Sequence, residues 1–161
     1  NVGSNADRCQ SAFETDVKPR TIYTLGTSTR SIDDFFEILE LYGIEGIADV
    51  RRFPASRRYP HFSRPNLESV AQQKDLAYFW LGDLLGGYRK GGYAAYQREE
   101  AYLRGLEVLE TIAGRARTVV LCAERFPWKC HRLQISRSLE ERGWEVIHLI
   151  EKDRIWHPRQ N

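Results

Sequence analysis

The chain reads as a single three-layer α/β domain built on a mainly parallel, Rossmann-like sheet of about five strands. Three observations predict it. Short β-branched or aromatic runs alternate along the chain with longer stretches whose apolar residues recur at helical spacing. Segments rich in Gly, Pro, Ser and Thr separate the two kinds of element. A length of 161 residues with 42% hydrophobic content suits one core, large enough to bury roughly two-thirds of the unfolded surface. Strands alternating with helices imply right-handed crossovers between parallel neighbours.

Residues 21–25 are short, β-branched and aromatic, and predict the first strand, which runs into the hydroxyl-rich turn 26–30. Ser31 followed by Asp34 resembles a capping box, and Ile32, Phe35, Phe36, Leu39 and Leu41 give an apolar helical face that stops at Gly43. A second strand is expected over 44–50. It leads into an arginine loop, 51–64, in which Pro54 and Pro60 exclude regular structure. A short helix over 65–73, a third strand over 76–81 and a loop with five glycines over 82–93 follow. The longest helix is expected over 96–113, a fourth strand over 118–121, a fourth helix over about 130–142 and a fifth strand over 145–150. Residues 1–19 read as a flexible tail or expression remnant, 20–151 as the domain, and 152–161 as a polar C-terminal tail. The chain contains no methionine, which points to a trimmed or fused start.

A net charge of +2 is too small to imply a nucleic-acid or membrane partner by itself. The arginine loop carries five arginines and no acid, however, and leaves the remainder net acidic. Three cysteines do not make a disulfide framework and leave at least one thiol unpaired, which favours a reducing, cytoplasmic setting. No apolar run approaches the ~18 residues of a membrane span, and no membrane association is expected.

In a parallel sheet the loops after the first four strands share the carboxyl edge, where α/β folds bind ligands. The richest is 122–132, Cys-Ala-Glu-Arg-Phe-Pro-Trp-Lys-Cys-His-Arg. Cys130 stands at a helix start beside Lys129, His131 and Arg132, a setting that lowers a thiol pKa and makes it a candidate nucleophile or redox thiol; the alternative is a simple N-cap. Glu124 is either a general acid, base or nucleophile, or a partner that holds Arg51 or Arg132. Cys122 ends a buried strand and is either a ligand contact or a small core residue. Adjacent residues 130 and 131 are expected to point apart, and no second ligand pair completes a tetrahedron, so no metal is expected. Arg51, Arg52, Arg57, Arg58 and Arg132 suit phosphate, and Tyr59, His61, Phe62 and Tyr88 suit stacking on a base. Gly86 and Gly87 would let backbone approach the ligand, and Gly26-Thr27-Ser28 could add N–H donors. Neither a dinucleotide fingerprint nor a Walker-type loop is present, and no cofactor is expected. His148 reads as strand packing and His157 as surface.

Tyr23-Thr24-Leu25-Gly26, Asp49-Val50-Arg51, Ser56-Arg57-Arg58 with Pro60 and Phe62, Leu85-Gly86-Gly87, and Cys122-Ala123-Glu124 with Cys130-His131-Arg132 occur in that order. Together they resemble the DUF488 family over about residues 21–151, with Thr27 in a place where that family usually has His or Asn. The resemblance implies a compact α/β domain with a shared loop-edge site and supplies no reaction; by analogy it favours a nucleotide or nucleic-acid ligand. Two functions are therefore expected in competition. One is a protein, with or without catalysis by Cys130 and Glu124, that binds a phosphorylated or nucleotide-like small molecule through Arg51, Arg57, Arg58, His61, Gly86, Gly87, Cys122, His131 and Arg132. The other is a non-catalytic nucleic-acid-binding module using loop 51–64. A third reading makes the arginines structural, bonded to loop carbonyls and carboxylates.

Overall fold

The computed structural model describes residues 20–157. The elements run β1 (Arg20–Gly26), α1 (Ile32–Leu41), β2 (Gly46–Asp49), α2 (Arg64–Gln73), β3 (Ala77–Trp80), α3 (Gly82–Leu85), α4 (Tyr93–Tyr96), α5 (Glu100–Arg115), β4 (Thr118–Cys122), α6 (Arg132–Glu141), β5 (Trp144–Glu151) and β6 (Arg154–Trp156). Single 3-10 turns occupy Pro60–Phe62 and Pro127–Lys129.

Local chemistry explains the boundaries. Ser31 Oγ accepts the Asp34 N–H at 3.1 Å, and Asp33 and Asp34 place negative charge in the first turn of α1, where the helix dipole favours it. Gly43, at φ +66, takes the left-handed turn that ends it. The longest helix begins later than periodicity predicts. The Tyr93 and Tyr96 hydroxyls donate to the Leu85 and Leu84 carbonyls, which holds α4 against α3 as a separate turn, and Glu99 is extended before α5 starts.

The sheet order is β3-β2-β4-β1-β5-β6, parallel throughout except for the β5–β6 hairpin. β4 is buried along its whole length, as a central parallel strand covered on both faces must be. Successive residues alternate between two cores. Leu25, Ile47, Val119 and Leu121 pack with Phe35, Leu39, Leu67 and Ala71 of α1 and α2. Ile22, Ala48, Val120 and Val146 pack with Leu106, Leu109, Ile135 and Leu139 of α5 and α6. The chain is thus a three-layer α/β domain. Because β2 leads to a helix on one face and β4 to a helix on the other, the crevice between their carboxyl ends is a topological switch point.

The polar tail expected from residue 152 onward is corrected by β6. A turn at Lys152 and Asp153 folds the chain back, pairing His148 with Trp156 and Leu149 with Ile155. Three residues with two apolar side chains were too short to show a period; what places them is the Trp156 ring, 5.2 Å from both Trp128 and His148.

His148 is fully buried on β5 and hydrogen-bonded to Thr24 Oγ1 at 2.6 Å. Burial, with Arg132 and His157 nearby, pushes it down to about 3. Its folded pKa lies below the unfolded value of about 6.5, so the folded state excludes a proton that the unfolded chain takes up below that pH. Stability should fall as pH drops from about 6.5 towards 3, by about 2–3 kcal/mol at pH ~4.5. Urea unfolding of the native chain and His148→Gln at pH ~7 and pH ~4.5 checks this, with a smaller pH difference expected in the variant.

Candidate functional site

The loops following β2, β3 and β4 enclose a cavity of about 340 Å³ whose lining includes Arg51, Arg52, Phe53, Gly87, Tyr88, Tyr93, Glu124, Lys129 and the cluster Cys122, Cys130 and His131. A second recess adjoins it, formed by Thr27, Ser28 and Thr29 after β1 together with the arginine loop. Arg51, Phe53, Ala123 and Glu124 line both. The loops after all four strands therefore meet in one groove at the switch point.

At the inner end of the cavity, Cys122 is the last residue of β4 and Cys130 follows the Pro127–Lys129 turn. The two are paired as a disulfide across Cα atoms 7.5 Å apart, a pairing not expected from the cysteine count; Cys9 lies outside the described residues. His131 joins them, with Nδ1 at 3.6 Å from Cys130 Sγ and 3.9 Å from Cys122 Sγ. The expectation that residues 130 and 131 point apart is corrected. Cys130 is extended (φ −141, ψ 149) while His131 is already helical (φ −59, ψ −16), and this change of conformation turns both side chains the same way. Nε2 of His131 donates to the Val50 carbonyl at 3.1 Å, which leaves Nδ1 as the nitrogen with a lone pair facing the sulfurs. Gly87 keeps that nitrogen clear, since a Cβ there would lie 3.2 Å from it. Burial, with Arg132 and Arg89 nearby, holds His131 below its ordinary value despite the Val50 bond; it is neutral at pH 7.

Arg51 and Arg132, expected to hold a ligand, are instead built into the walls. Asp49 is fully buried and takes the Arg51 guanidinium in two bonds, Nε to Oδ1 at 2.9 Å and Nη2 to Oδ2 at 2.8 Å. Nη1 of Arg51 donates to the Phe62 carbonyl at 2.7 Å, and the Tyr78 hydroxyl also donates to Asp49 at 2.5 Å. Burial draws Arg51 down, but Asp49 outweighs it and leaves the guanidinium above its ordinary value. Arg132 is 0% exposed and donates to the main-chain carbonyls of Glu124 at 2.6 Å and Arg125 at 2.9 Å. Burial and the neighbouring Arg30 push it down to about 9, still protonated at neutral pH. The Glu124 carboxylate makes no ion pair with Arg132, although its charge favours the protonated guanidinium; the residue is exposed and lines the cavity.

The N–H groups of Thr27 and Ser28, expected to face a ligand, donate to the Cys122 and Ala123 carbonyls and tie the β1 loop to the cysteine loop. His61 bonds the Arg30 carbonyl, and Gly86 packs against Arg52 and the Gly82 carbonyl, so both lie outside the cavity. Arg57 and Arg58 are exposed on the arginine loop, also outside it. The cations on the cavity that keep exposed surface are Lys129 and Arg52, and Nη1 of Arg52 donates to the Tyr88 carbonyl at 2.5 Å. Its aromatic walls are Phe53, Tyr88 and Tyr93; Phe53 and Tyr88 are 65% and 87% exposed with ring centroids 6.1 Å apart. Phe53 and Tyr93 were not among the expected contacts. An exposed aromatic beside an arginine run was the available signal for Phe53, whereas Tyr93 reaches His131, at 5.3 Å between rings, only because the glycine loop folds back.

The family model described as domain of unknown function DUF488 matches residues 31–139, well over half of the chain. The chain belongs to the DUF488 family. Its matched span holds the arginine, glycine and cysteine loops, whereas β1 and the β5–β6 hairpin fall outside it. A search of curated proteins finds no match for this DUF488 protein. No helix among the described residues is long and apolar enough to cross a membrane.

Gly26, at the end of β1, has no room for a side chain, because a Cβ would lie 1.8 Å from the Glu124 carbonyl oxygen and 2.9 Å from Arg132 Nη1. Gly26→Ala should therefore displace the cysteine loop and cost about 2–3 kcal/mol. Gly114→Ala, on an exposed and open position of α5, should instead stabilise by about 0.5–1 kcal/mol. Chemical denaturation of the pair measures both; equal effects would remove Gly26 from the account of the loop.

Proposed function

We propose that this DUF488 protein binds a phosphorylated, nucleotide-like molecule in the carboxyl-edge groove and acts on it with the groups at the inner end of the cavity. One observation carries the reading. A cavity of about 340 Å³ combines aromatic walls, two reachable cations and a cluster of two cysteines and a histidine, the mixture expected of a site that orients a planar, anionic ligand against reactive groups. Phe53 and Tyr88 supply stacking surface for a base. Arg52 and Lys129 supply charge for phosphate. Arg51 and Arg132 act here as positioning residues that hold loops in place. Glu124, and Cys130 once its disulfide with Cys122 is reduced, line the cavity from the cysteine loop and are the candidate reactive side chains.

A single-stranded nucleic acid is the second reading. It is favoured by the continuity of the two recesses into one groove and by exposed Arg57 and Arg58 on the loop that borders it. The two readings differ in what they bind and how salt affects it. Nucleoside monophosphates should raise the melting temperature of the native chain, and Arg52→Ala with Lys129→Ala should weaken that binding about tenfold or more. Oligonucleotide binding that weakens steeply with salt, with a slope reduced in Arg57→Ala, Arg58→Ala, would favour the second reading. No stabilisation by any nucleotide, or stabilisation unchanged in the Arg52 and Lys129 variant, would overturn the first.

A further inference from the structure

We infer that the reduced Cys122–Cys130–His131 cluster binds a single zinc-class divalent cation with one coordination position open to the cavity, an inference that rests on the proposed function only for what that open position faces.

The ligand atoms are of the right kind and lie together. Cys122 and Cys130 are joined as a disulfide, and on reduction their sulfurs must part to the roughly 3.8 Å that a tetrahedral ion sets between two thiolates. Two sulfurs and one imidazole nitrogen lie within 4.8 Å of one another. With Zn–S near 2.3 Å and Zn–N near 2.0–2.1 Å, a tetrahedral ion separates a sulfur and a nitrogen ligand by about 3.6 Å. The observed separations from His131 Nδ1 are 3.6 and 3.9 Å. The backbone spacing points the same way, since the Cys122 and Cys130 Cα atoms are 7.5 Å apart. Natural disulfides usually span about 4.4–6.8 Å; two thiolates on either side of an ion are under no such limit.

The surroundings are those of a metal site. His131 donates its other ring N–H to the Val50 carbonyl, the outer-shell bond that fixes the tautomer and ring of metal-bound histidines. The Arg132 backbone N–H points at Cys130 Sγ at 3.5 Å, which favours the charged sulfur. Two thiolates and a neutral imidazole bring a divalent ion to zero net charge. Arg52 and Lys129 nearby are therefore no obstacle, and their charge stays available to an anion. Three protein ligands with a fourth position on a cavity is the pattern of catalytic rather than structural zinc sites, and Glu124 is the carboxylate that lines that cavity.

Disulfide and metal are alternative states of the same two sulfurs. Opening the disulfide takes two electrons and two protons and gives two thiols. A phosphine gives the electrons and becomes its oxide while water gives the protons and the oxygen, or two reductant thiols give both and become a disulfide. The incoming ion then displaces the thiol protons to solvent.

The test is a Co²⁺ titration of the full chain, reduced with a phosphine under anaerobic conditions, followed by competition with Zn²⁺. One equivalent of Co²⁺ should give a thiolate charge-transfer band that Zn²⁺ abolishes. Cys9→Ser should leave the band intact. Cys130→Ser and His131→Gln should weaken binding by more than the roughly 10–100-fold that loss of an outer-shell partner costs. Should either variant fail to fold, alkylation of the native chain decides instead, with Zn²⁺ expected to protect Cys122 and Cys130 but not Cys9. A reduced, folded chain without the band, a band undiminished in Cys130→Ser, or equal alkylation with and without Zn²⁺ overturns the inference. Nucleotide stabilisation that persists without metal binding would remove the metal and leave the proposed function standing, and metal binding without nucleotide stabilisation would do the reverse.

Discussion

The guanidinium of Arg132 is shut away from water, and the cysteine loop is wrapped around it. Isolated, such a charge would carry a large desolvation cost. Bonds to the Glu124 and Arg125 carbonyls offset part of that cost and bend the chain back over the start of α6. Everything reactive in the molecule depends on that bend. It lets Cys130, eight residues beyond Cys122, return to the strand end it has left. It also explains why β1 must end in glycine, since the Glu124 carbonyl occupies the space a Cβ would need.

A second buried arginine does the same for the opposite wall. Arg51 is held by Asp49, and its remaining bond reaches the Phe62 carbonyl and closes the arginine loop. Between the two anchors, the Val50 carbonyl fixes the imidazole of His131. The end of β2 thus supplies, in three consecutive residues, an anchor for one loop and an orienting acceptor for the cluster of another. Charged groups divide accordingly. Buried arginines shape the groove, whereas the half-buried Arg52, bonded to the Tyr88 carbonyl, and the exposed Lys129 keep accessible charge on it. A buried, hydrogen-bonded ion pair is weak evidence for net stability but costs much to break, so these anchors serve to specify loop geometry.

Much of this was legible in the sequence. Periodicity located β1 to β5 and the longer helices α1, α2, α5 and α6 because each core-facing stretch obeys its own repeat, whereas the four-residue α3 and α4 fall at the two ends of the stretch expected as a glycine loop. Parallel connectivity alone brought the four loops to one edge. The richness of residues 122–132 singled out the loop that lines the cavity. Three things were not legible. The β6 strand is too short to carry a period. The joint orientation of Cys130 and His131 depends on a change of backbone conformation between adjacent residues, which residue identity does not encode. The inward aim of Arg51 and Arg132 depends on burial; in a one-dimensional reading, an arginine that binds a carbonyl and one that binds a phosphate are the same residue.

The claim that these loops form one binding groove is most directly tested by an NMR titration of the ¹⁵N-labelled chain with a nucleoside monophosphate. The largest shifts should fall together on Arg52, Phe53, Gly87, Tyr88, Lys129 and His131, residues from three separate loops that share only the cavity. Shifts concentrated instead along the recess between α5 and α6, at Tyr102, Arg137 and Arg142, would contradict it.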